Sequence, residues 1–426
     1  MSASGDPSEA FPYPERDPAQ ETKRLTTGSP SHPLEIDHYI FEGKRDWSKP
    51  IRILAAAGGT GDAVIQMAQV LSSAKKPYEI TYLDPSKTAR DIAEARAEAR
   101  GLQGITFKTG ALLEARRLGR FDYIDCSGGL AALPKPQAGF NALAKALAPR
   151  GGIGLMLPAD LGRAGAMPLR EVFGALLDGP PEFQLRKAQA IYARLPDAHP
   201  IKRNPILRDQ LQSDAGFYDL LLRGQGLEFS IRQLLAALRS AGLSYVGSPQ
   251  SHLYDPLPLL GDAALVHGMD RVARMELAES LRGTIKAHIL YAAREATGHV
   301  AQVEGEAVPH LRGVSGQRLA QVAAKTGVIP VTIAGEKLEI PVSGITARAL
   351  AATDGAFSPP SRARRPAAPQ ANGWEGWEGW VGGGPGGGSL SSKTLRCHGF
   401  WHLIPWAEDQ GWHLSYFGDV KSFVRK

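Results

Sequence analysis

Residues 51–62 read IRILAAAGGTGD, and this stretch decides the fold. Its first six residues form a short apolar run that predicts a buried strand. Closely spaced glycines follow and predict a tight turn, after which apolar residues recur at helical spacing as far as residue 71. The predicted unit is a strand, a glycine-rich turn and a helix, in which backbone N–H groups can approach a ligand closely.

Strands and helices keep alternating beyond this unit. Predicted strands cover residues 51–56, 79–83, 105–109, 123–126, 152–157, 243–246 and 285–293. Predicted helices cover residues 62–71, 88–100, 136–147 and 230–241. This alternation favours a mainly parallel sheet with helices on both faces. We therefore predict an α/β fold with a doubly wound, mainly parallel seven-stranded sheet that carries two insertions.

Composition divides the remaining chain into regions of different character. The predicted organisation is an N-terminal lead-in (1–32), a main domain (33–295) with insertions at about 160–227 and 252–282, a small C-terminal α+β unit (299–355) and a tail (356–426). The lead-in is polar and rich in proline, so we expect it to be mostly irregular. The tail is rich in glycine and tryptophan and of low complexity, which leaves open whether it has a stable fold.

Charge and cysteine content exclude several classes of protein. The 426 residues carry a formal net charge of +6 with scattered basic residues, which does not favour a dedicated nucleic-acid-binding protein. Cys126 and Cys397 are the cysteines of the sequence, too few for a zinc cluster or a disulfide scaffold. We expect no metal, no membrane-spanning helix and no secretory signal, and hence a cytoplasmic protein.

Two kinds of chemistry commonly use a glycine turn of this type. A dinucleotide fingerprint needs Gly-x-Gly-x-x-Gly, but Gly59 and Gly61 are followed by an Asp-Ala-Val sequence. Loops that bind S-adenosylmethionine favour Gly-x-Gly-x-Gly, which residues 57–61 satisfy at their last two glycines. A nicotinamide-dependent oxidoreductase would use the same kind of sheet, so this class of enzyme stays open as the least favoured of three interpretations.

Further motifs follow the glycine turn in a fixed order. They are YLD at 82–84, TGA at 109–111, FDYID at 121–125 and LAPRGG at 147–152. With these motifs, residues 34–295 resemble the class I S-adenosylmethionine-dependent methyltransferases. Residues 31–47 and 214–222 are similar to a bacterial group of such enzymes that carries an extra C-terminal regulatory-type unit.

The resemblance implies a cofactor, S-adenosyl-L-methionine, and a site for it. The implied cofactor-binding residues are Gly58, Gly59, Gly61, Asp84, Pro85, Gly110, Ala111, Asp125 and Cys126. The turn glycines would line the methionine end, and Asp84 would accept hydrogen bonds from the two ribose hydroxyls. Gly110 and Ala111 would flank the adenine, while Asp125 and Cys126 would lie near the sulfonium.

The candidate catalytic residues are Asp125 and Tyr218. Asp125 could take a proton from the methyl acceptor, or it could be a loop carboxylate that binds backbone N–H groups. Tyr218 lies on a predicted lid and could contact the acceptor, although an ordinary helix face would look similar. Cys126 is expected to be a small buried residue rather than a nucleophile. His38 and Tyr39 could touch ligand or pack on the sheet edge.

The predicted activity is methyl transfer to a protein side chain or a small-molecule acceptor. The sequence departs from the family pattern at Ala55, Ala57 and Ala111, where relatives often carry an acidic residue, a glycine and an acidic residue. These departures keep a second interpretation open, a non-catalytic module that binds S-adenosylmethionine or a partner protein. The acceptor and the oligomeric state are not predicted.

Overall fold

The computed structural model describes residues 7–223, 226–294, 300–301, 310–311, 316–333, 336–352 and 414–415. The chain divides into two compact units. The first comprises Met1–Phe41 and Arg45–Val300, and the second comprises Glu42–Lys44 and Ala301–Lys426. Among the helices of the described residues, none is both long enough and apolar enough to cross a lipid bilayer.

A seven-stranded sheet forms the centre of the first unit. Its strands are β1 (Ile51–Ala56), β2 (Tyr78–Asp84), β3 (Ile105–Thr109), β4 (Phe121–Ser127), β5 (Leu147–Pro158), β6 (Ser244–Gly247) and β7 (Ala287–Ala293). Their order is β3-β2-β1-β4-β5-β7-β6, and β7 runs antiparallel to both of its neighbours. The predicted α/β fold with a mainly parallel seven-stranded sheet is confirmed.

Helices cover both faces of this sheet and build the insertions. The helices of the first unit are α1 (Pro7–Ala10), α2 (Pro33–Ile40), α3 (Asp62–Ser73), α4 (Lys87–Ala99), α5 (Pro136–Ala146), α6 (Ala166–Leu176), α7 (Pro181–Arg194), α8 (Pro200–Arg203), α9 (Arg208–Leu211), α10 (Asp214–Leu221), α11 (Ile231–Ser240), α12 (Leu257–Leu260) and α13 (Arg271–Arg282). Short 3-10 helices cover Pro18–Lys23, Leu112–Leu118, Leu161–Arg163, Pro205–Leu207, Ser251–Tyr254 and Ala263–Val266. Ser230 begins α11 as predicted, because it forms a capping box with Gln233.

Two of the hydrophobic cores that the described residues form lie in the first unit. The larger one joins the sheet to α5 and α11, with Leu54, Ile124, Leu155 and Leu234 fully buried. The smaller one lies inside the first insertion, where α6, α7 and α10 pack on each other. The insertion therefore has its own core, which lets it hold a defined shape beyond the strand ends.

The N-terminal lead-in, described from residue 7 onward, makes apolar contacts such as the Phe11–Tyr218 stack as well as polar ones. It follows the surface of the first unit and is anchored by charged and polar side chains, such as the bidentate Arg16–Asp62 pair. The prediction that residues 1–32 are mostly irregular considered only their low apolar content. The polar anchoring is a finding of the structure, because the partners lie far away along the chain.

The described residues of the second unit form short strands and helices. They are β8 (His310–Leu311), α14 (Gly316–Thr326), β9 (Val328–Ile333), β10 (Glu336–Pro341), α15 (Gly344–Ala352) and β11 (Leu414–Ser415). β9 and β10 form an antiparallel hairpin, and β8 pairs with β11. Apart from 414–415, the tail over residues 356–426 lies outside the described residues, so the prediction for it stays a prediction.

Candidate functional site

The glycine turn between β1 and α3 is packed too tightly for side chains at two of its positions. A Cβ on Gly58 would lie 2.5 Å from the Tyr82 ring, so a side chain there would collide. Gly61 has φ +99° and a Cβ there would lie 2.8 Å from the Ala93 Cβ. The turn therefore presents bare backbone at the start of α3, where N–H groups point away from the helix.

Ala57 opens this turn in a strained conformation. Its φ is +53°, in the left-handed region that favours glycine over residues with a Cβ. The neighbouring loop must accommodate the extra methyl group, since a Cβ on Gly129 would lie only 2.2 Å from the Ala57 Cβ. Ala57 thus departs from the family pattern in residue type, while its backbone keeps the left-handed conformation that glycine favours.

Asp84 at the carboxyl end of β2 joins the turn to the next helix. Its Oδ2 accepts a hydrogen bond from the Gly59 N–H (2.9 Å), and its Oδ1 accepts one from the Ser86 N–H (2.9 Å). The helix-capping role belongs to Ser86, whose Oγ accepts from the Ala89 N–H (3.0 Å). Asp84 therefore lies at the strand end where the sequence predicts the ribose contact, and that contact stays a prediction.

A second carboxylate lies beside the predicted adenine position. The Gly110 N–H donates to the Asp84 carbonyl (2.9 Å), which brings the end of β3 next to Asp84. Glu114 Oε2 accepts from the Ala111 N–H (3.3 Å) and lies 2.9 Å from where a Gly110 Cβ would be. The sequence analysis missed Glu114. Its spacing from Ala111 is only the glutamate half of a capping box, because Ala111 has no side-chain oxygen, so the local sequence carries no clear signal for it.

Asp125 is the buried carboxylate at the end of β4. It lies opposite Ala55 of β1 in the sheet register and is 2% exposed. Ser31 Oγ donates to its Oδ2 (2.7 Å), and Ser127 Oγ donates to its Oδ1 (3.1 Å). Burial raises the pKa of Asp125 from 3.8 to about 6, although both hydroxyls lower it. The carboxylate is thus ionised at neutral pH with a pKa suited to proton transfer.

Cys126 is fully buried in the larger core. Burial raises the pKa of its thiol to about 12, although hydrogen bonds from the backbone of Leu130 and Gly129 act to lower this pKa. A thiol in this state is not a nucleophile, in line with the expected packing role. The same burial favours packing over the predicted cofactor contact.

Tyr218 lies in the small core of the insertion. It is 2% exposed, its ring stacks on Phe11 at 4.8 Å, and its hydroxyl donates to Gln184 Oε1 (3.4 Å). The placement favours packing over the predicted catalytic role. The sequence pattern does not reveal this position, because α10 turns its Tyr218 face toward the core of the insertion and toward the N-terminal lead-in.

His38 and Tyr39 pack against the sheet. Tyr39 stacks on Tyr291 at 4.5 Å and donates to the Ser248 carbonyl (3.1 Å). Burial lowers the pKa of His38 to about 4, and its ring meets Tyr39 edge-on. Of the two roles that the sequence left open for these residues, the structure favours packing.

Arg96 is a buried cation that the sequence analysis did not single out. Its side chain is 1% exposed, although it lies on the alanine-rich helix α4. Nη1 donates to the Thr60 carbonyl (2.7 Å) and to Asp62 Oδ1 (2.9 Å), while Nε donates to Glu21 Oε2 (2.5 Å). Arg96 therefore holds the glycine turn, the start of α3 and the lead-in together.

A cleft of about 620 Å³ lies between the lead-in and the first insertion. Residues 13–17 form part of one wall, and Gln210, Ser213 and Lys286 lie among the residues opposite. Lys286 precedes β7, whose first residue pairs with the last residue of β5, so the cleft lies at the carboxyl edge of the sheet. Open α/β sheets bind ligands at this edge.

Comparisons with known proteins agree with this geometry. Residues 54–153 match the family described as "Methyltransferase domain". An uncharacterized protein of Synechococcus is 31% identical over 220 residues, which cover 50% of this chain and 52% of that protein. The chain thus spans about half the length of the curated relative it matches.

Two solved structures share the fold. PKMT2 from Rickettsia typhi has a TM-score of 0.50 at 17% identity, covering 68% of this chain and 59% of that one. The same protein in complex with AdoHcy has a TM-score of 0.51 at 15% identity, covering 76% of this chain and 66% of that one. The first unit thus has the class I methyltransferase fold, and its residues 54–153 form a methyltransferase domain. The match over residues 54–153 and the shared fold support the predicted resemblance to the class I S-adenosylmethionine-dependent methyltransferases.

Proposed function

We propose that this protein is an S-adenosylmethionine-dependent methyltransferase that uses Asp84 to hold the cofactor and Asp125 to accept a proton. One observation carries the proposal: the ends of β1, β2, β3 and β4 bring a bare glycine turn and separate carboxylates to one edge of the sheet. Asp84 Oδ2 lies 2.9 Å from the Gly59 nitrogen, and Asp125 lies opposite Ala55 on the adjoining strand.

The residues at this edge fit the proposed cofactor group by group. Asp84 offers two carboxylate oxygens, which suit a pair of neighbouring ribose hydroxyls. The backbone at the start of α3 suits the carboxylate of the methionine end, because helix N-termini favour negative groups. Glu114 offers an acceptor for the amino group of adenine, and Pro85 and Ala111 are exposed beside it.

When bound, the cofactor supplies a methyl group on a positively charged sulfur that a nucleophile can attack. The protein's part is to hold the acceptor in line with that methyl group and to keep water out. A bond forms between the acceptor atom and the methyl carbon as the sulfur–methyl bond breaks. The acceptor's proton passes to Asp125, whose raised pKa lets it take the proton near neutral pH and release it to solvent afterwards.

The cleft between the lead-in and the insertion offers an acceptor a way in from the carboxyl edge, and Asp84 and Asp125 are not among its lining residues. Its volume of about 620 Å³ suits a drug-sized molecule or a side chain with its neighbouring backbone. The acceptor is therefore a protein side chain or a small molecule, as the sequence analysis expects.

Calorimetric titration with S-adenosylmethionine and S-adenosylhomocysteine tests cofactor binding. We expect micromolar binding that Asp84→Ala weakens at least about tenfold, since the proposed acceptor for the ribose hydroxyls is lost together with the bond that holds the Gly59 N–H. Asp91→Ala makes the same change on the exposed face of α4, where Asp91 pairs with Lys87, and should bind as the wild type does. A well-folded wild type that binds neither compound would overturn the proposal. A parallel titration with NADH tests the oxidoreductase interpretation.

Turnover is tested with a tritium-labelled methyl group on the cofactor and cell extract as the source of acceptor. Label in the precipitated protein indicates a side-chain acceptor, and label in the soluble small-molecule fraction indicates the other class. Asp125→Asn should keep cofactor binding and lose transfer. Binding without any transfer would favour the non-catalytic module instead.

A further inference from the structure

Residues 9–24, which we call the strap, contact the glycine turn and helix α4. At the N-terminal end of the strap, Glu9 accepts hydrogen bonds from the backbone N–H groups of Lys87 (2.6 Å) and Thr88 (2.9 Å). These groups lie at the start of α4, three and four residues after Asp84. The strap is therefore fixed next to the residue that would hold the ribose.

The middle of the strap lies on the glycine turn. The Thr60 hydroxyl, which is fully buried, donates to the Pro14 carbonyl (2.6 Å). The Tyr13 carbonyl lies 3.1 Å from the position of a Cβ on Gly59. The strap therefore bridges the glycine turn, which would hold the methionine end of the cofactor, and the start of α4 next to Asp84, which would hold the ribose.

Buried ion pairs hold the far end of the strap. Glu21 is 5% exposed and accepts from Arg96 Nε (2.5 Å) and Arg100 Nε (2.6 Å). Because Arg96 also binds the Thr60 carbonyl and Asp62, its one cation contacts both the strap and the glycine turn. Separating a buried pair leaves an uncompensated charge, so this contact resists opening.

The partly exposed Arg16–Asp62 pair adds to this closure. Arg16 donates through Nε (2.8 Å) and Nη2 (2.6 Å) to the two oxygens of Asp62 on the first turn of α3. Burial raises the pKa of Asp62, but Arg16 and Arg96 outweigh this effect and hold it below 3.8. The carboxylate therefore stays charged at neutral pH and keeps both arginines in place.

We propose that the strap forms the outer wall of the cofactor site and that Arg96 is the positioning residue that couples it to the glycine turn. Exchange of the cofactor then requires the Glu21–Arg96 contact to open. This inference rests on the proposed function, because it assigns the strap to the site of that cofactor.

The dissociation rate of S-adenosylhomocysteine, measured by stopped-flow displacement on the full chain, tests the proposal. Glu21→Gln removes the charge under Arg96, and Thr60→Val removes the hydroxyl that binds Pro14. We expect each to speed dissociation about tenfold or more. Glu21→Asp keeps the carboxylate and should restore part of the slow rate. Glu98→Gln removes an exposed carboxylate from the same helix, α4, and should leave the rate unchanged.

Hydrogen exchange in the protein without cofactor gives a second readout. Amides of residues 9–24 should exchange faster in Glu21→Gln and Thr60→Val than in the wild type. Amides of β4 should exchange at the wild-type rate in all variants, which shows that the fold is intact.

The two proposals fail in different ways. The first case is a wild type that binds S-adenosylhomocysteine and variants Glu21→Gln and Thr60→Val whose strap amides exchange hydrogen faster. If S-adenosylhomocysteine still dissociates from both variants at the wild-type rate, the strap is not a wall of the site. If the straps exchange no faster, the ion pairs do not hold the strap and the inference is equally overturned. If the wild type does not bind S-adenosylhomocysteine, the proposed function itself fails, and this inference with it.

Discussion

Asp125→Asn removes a buried carboxylate whose pKa is raised by burial from 3.8 to about 6. Between these values the folded protein binds a proton that the unfolded chain releases. The free energy of unfolding therefore falls as the pH rises through this range. One pKa unit corresponds to about 1.4 kcal/mol, so the ionised carboxylate costs the fold about 3 kcal/mol above pH 6.

Urea unfolding followed by far-UV circular dichroism measures this cost in the wild type and in Asp125→Asn. From about pH 4.5 to about pH 8, we expect the wild type to lose about 2 kcal/mol relative to the variant, because part of the total cost is already present at the lower pH. The second unit is identical in both proteins, so its contribution cancels. Asp122→Asn makes the same chemical change at the more exposed start of β4 and serves as the matched control.

A difference in unfolding free energy that stays constant with pH would refute this reasoning. Asp125 would then not be destabilised by burial, and its assignment as a base with a raised pKa would lose its physical support. The same carboxylate should govern catalysis, since only its ionised form accepts a proton. The rate of methyl transfer should therefore rise with pH through about 6 and level off above it.

Three further substitutions test individual residues. Ala57→Gly should stabilise the protein by up to about 1 kcal/mol in urea unfolding, because glycine relieves the strain of φ +53°; destabilisation would show that the Ala57 methyl group packs favourably. Glu114→Gln should weaken S-adenosylhomocysteine binding about tenfold in calorimetry, whereas Glu94→Gln on α4 should not; equal affinities would remove Glu114 from the adenine position. Tyr218→Phe should retain methyl transfer within about twofold, because the ring still stacks on Phe11; a loss of about a hundredfold would restore the catalytic role.

The strands and helices of the sheet could be read from the chain because each reflects a local hydrophobic period. The glycine turn at residues 58–61 and the acidic residue at the end of β2 also depend on neighbours only a few residues apart. The sequence therefore sufficed for the fold class and for Asp84 at its strand end.

Long-range polar contacts could not be read in this way. Glu21 meets Arg96 across 75 residues, and Ser31 meets Asp125 across 94. Nothing local marks such pairs, because an arginine on a helix and a glutamate in a proline-rich segment both look like solvated side chains. The position of the strap depends on long-range pairs such as Glu21–Arg96.

Tyr218 and Asp125 show that the function of a residue also depends on contacts that only the folded chain makes. Both are polar residues in promising positions of the sequence, and both are 2% exposed in the structure, but their surroundings differ. Tyr218 packs in a core of the insertion, whereas Asp125 is held by two serine hydroxyls at a strand end. Which carboxylate or hydroxyl can do chemistry depends on desolvation and on partners brought from distant segments. Both are properties of the folded chain, while the periodic pattern that builds the sheet is a property of neighbouring residues.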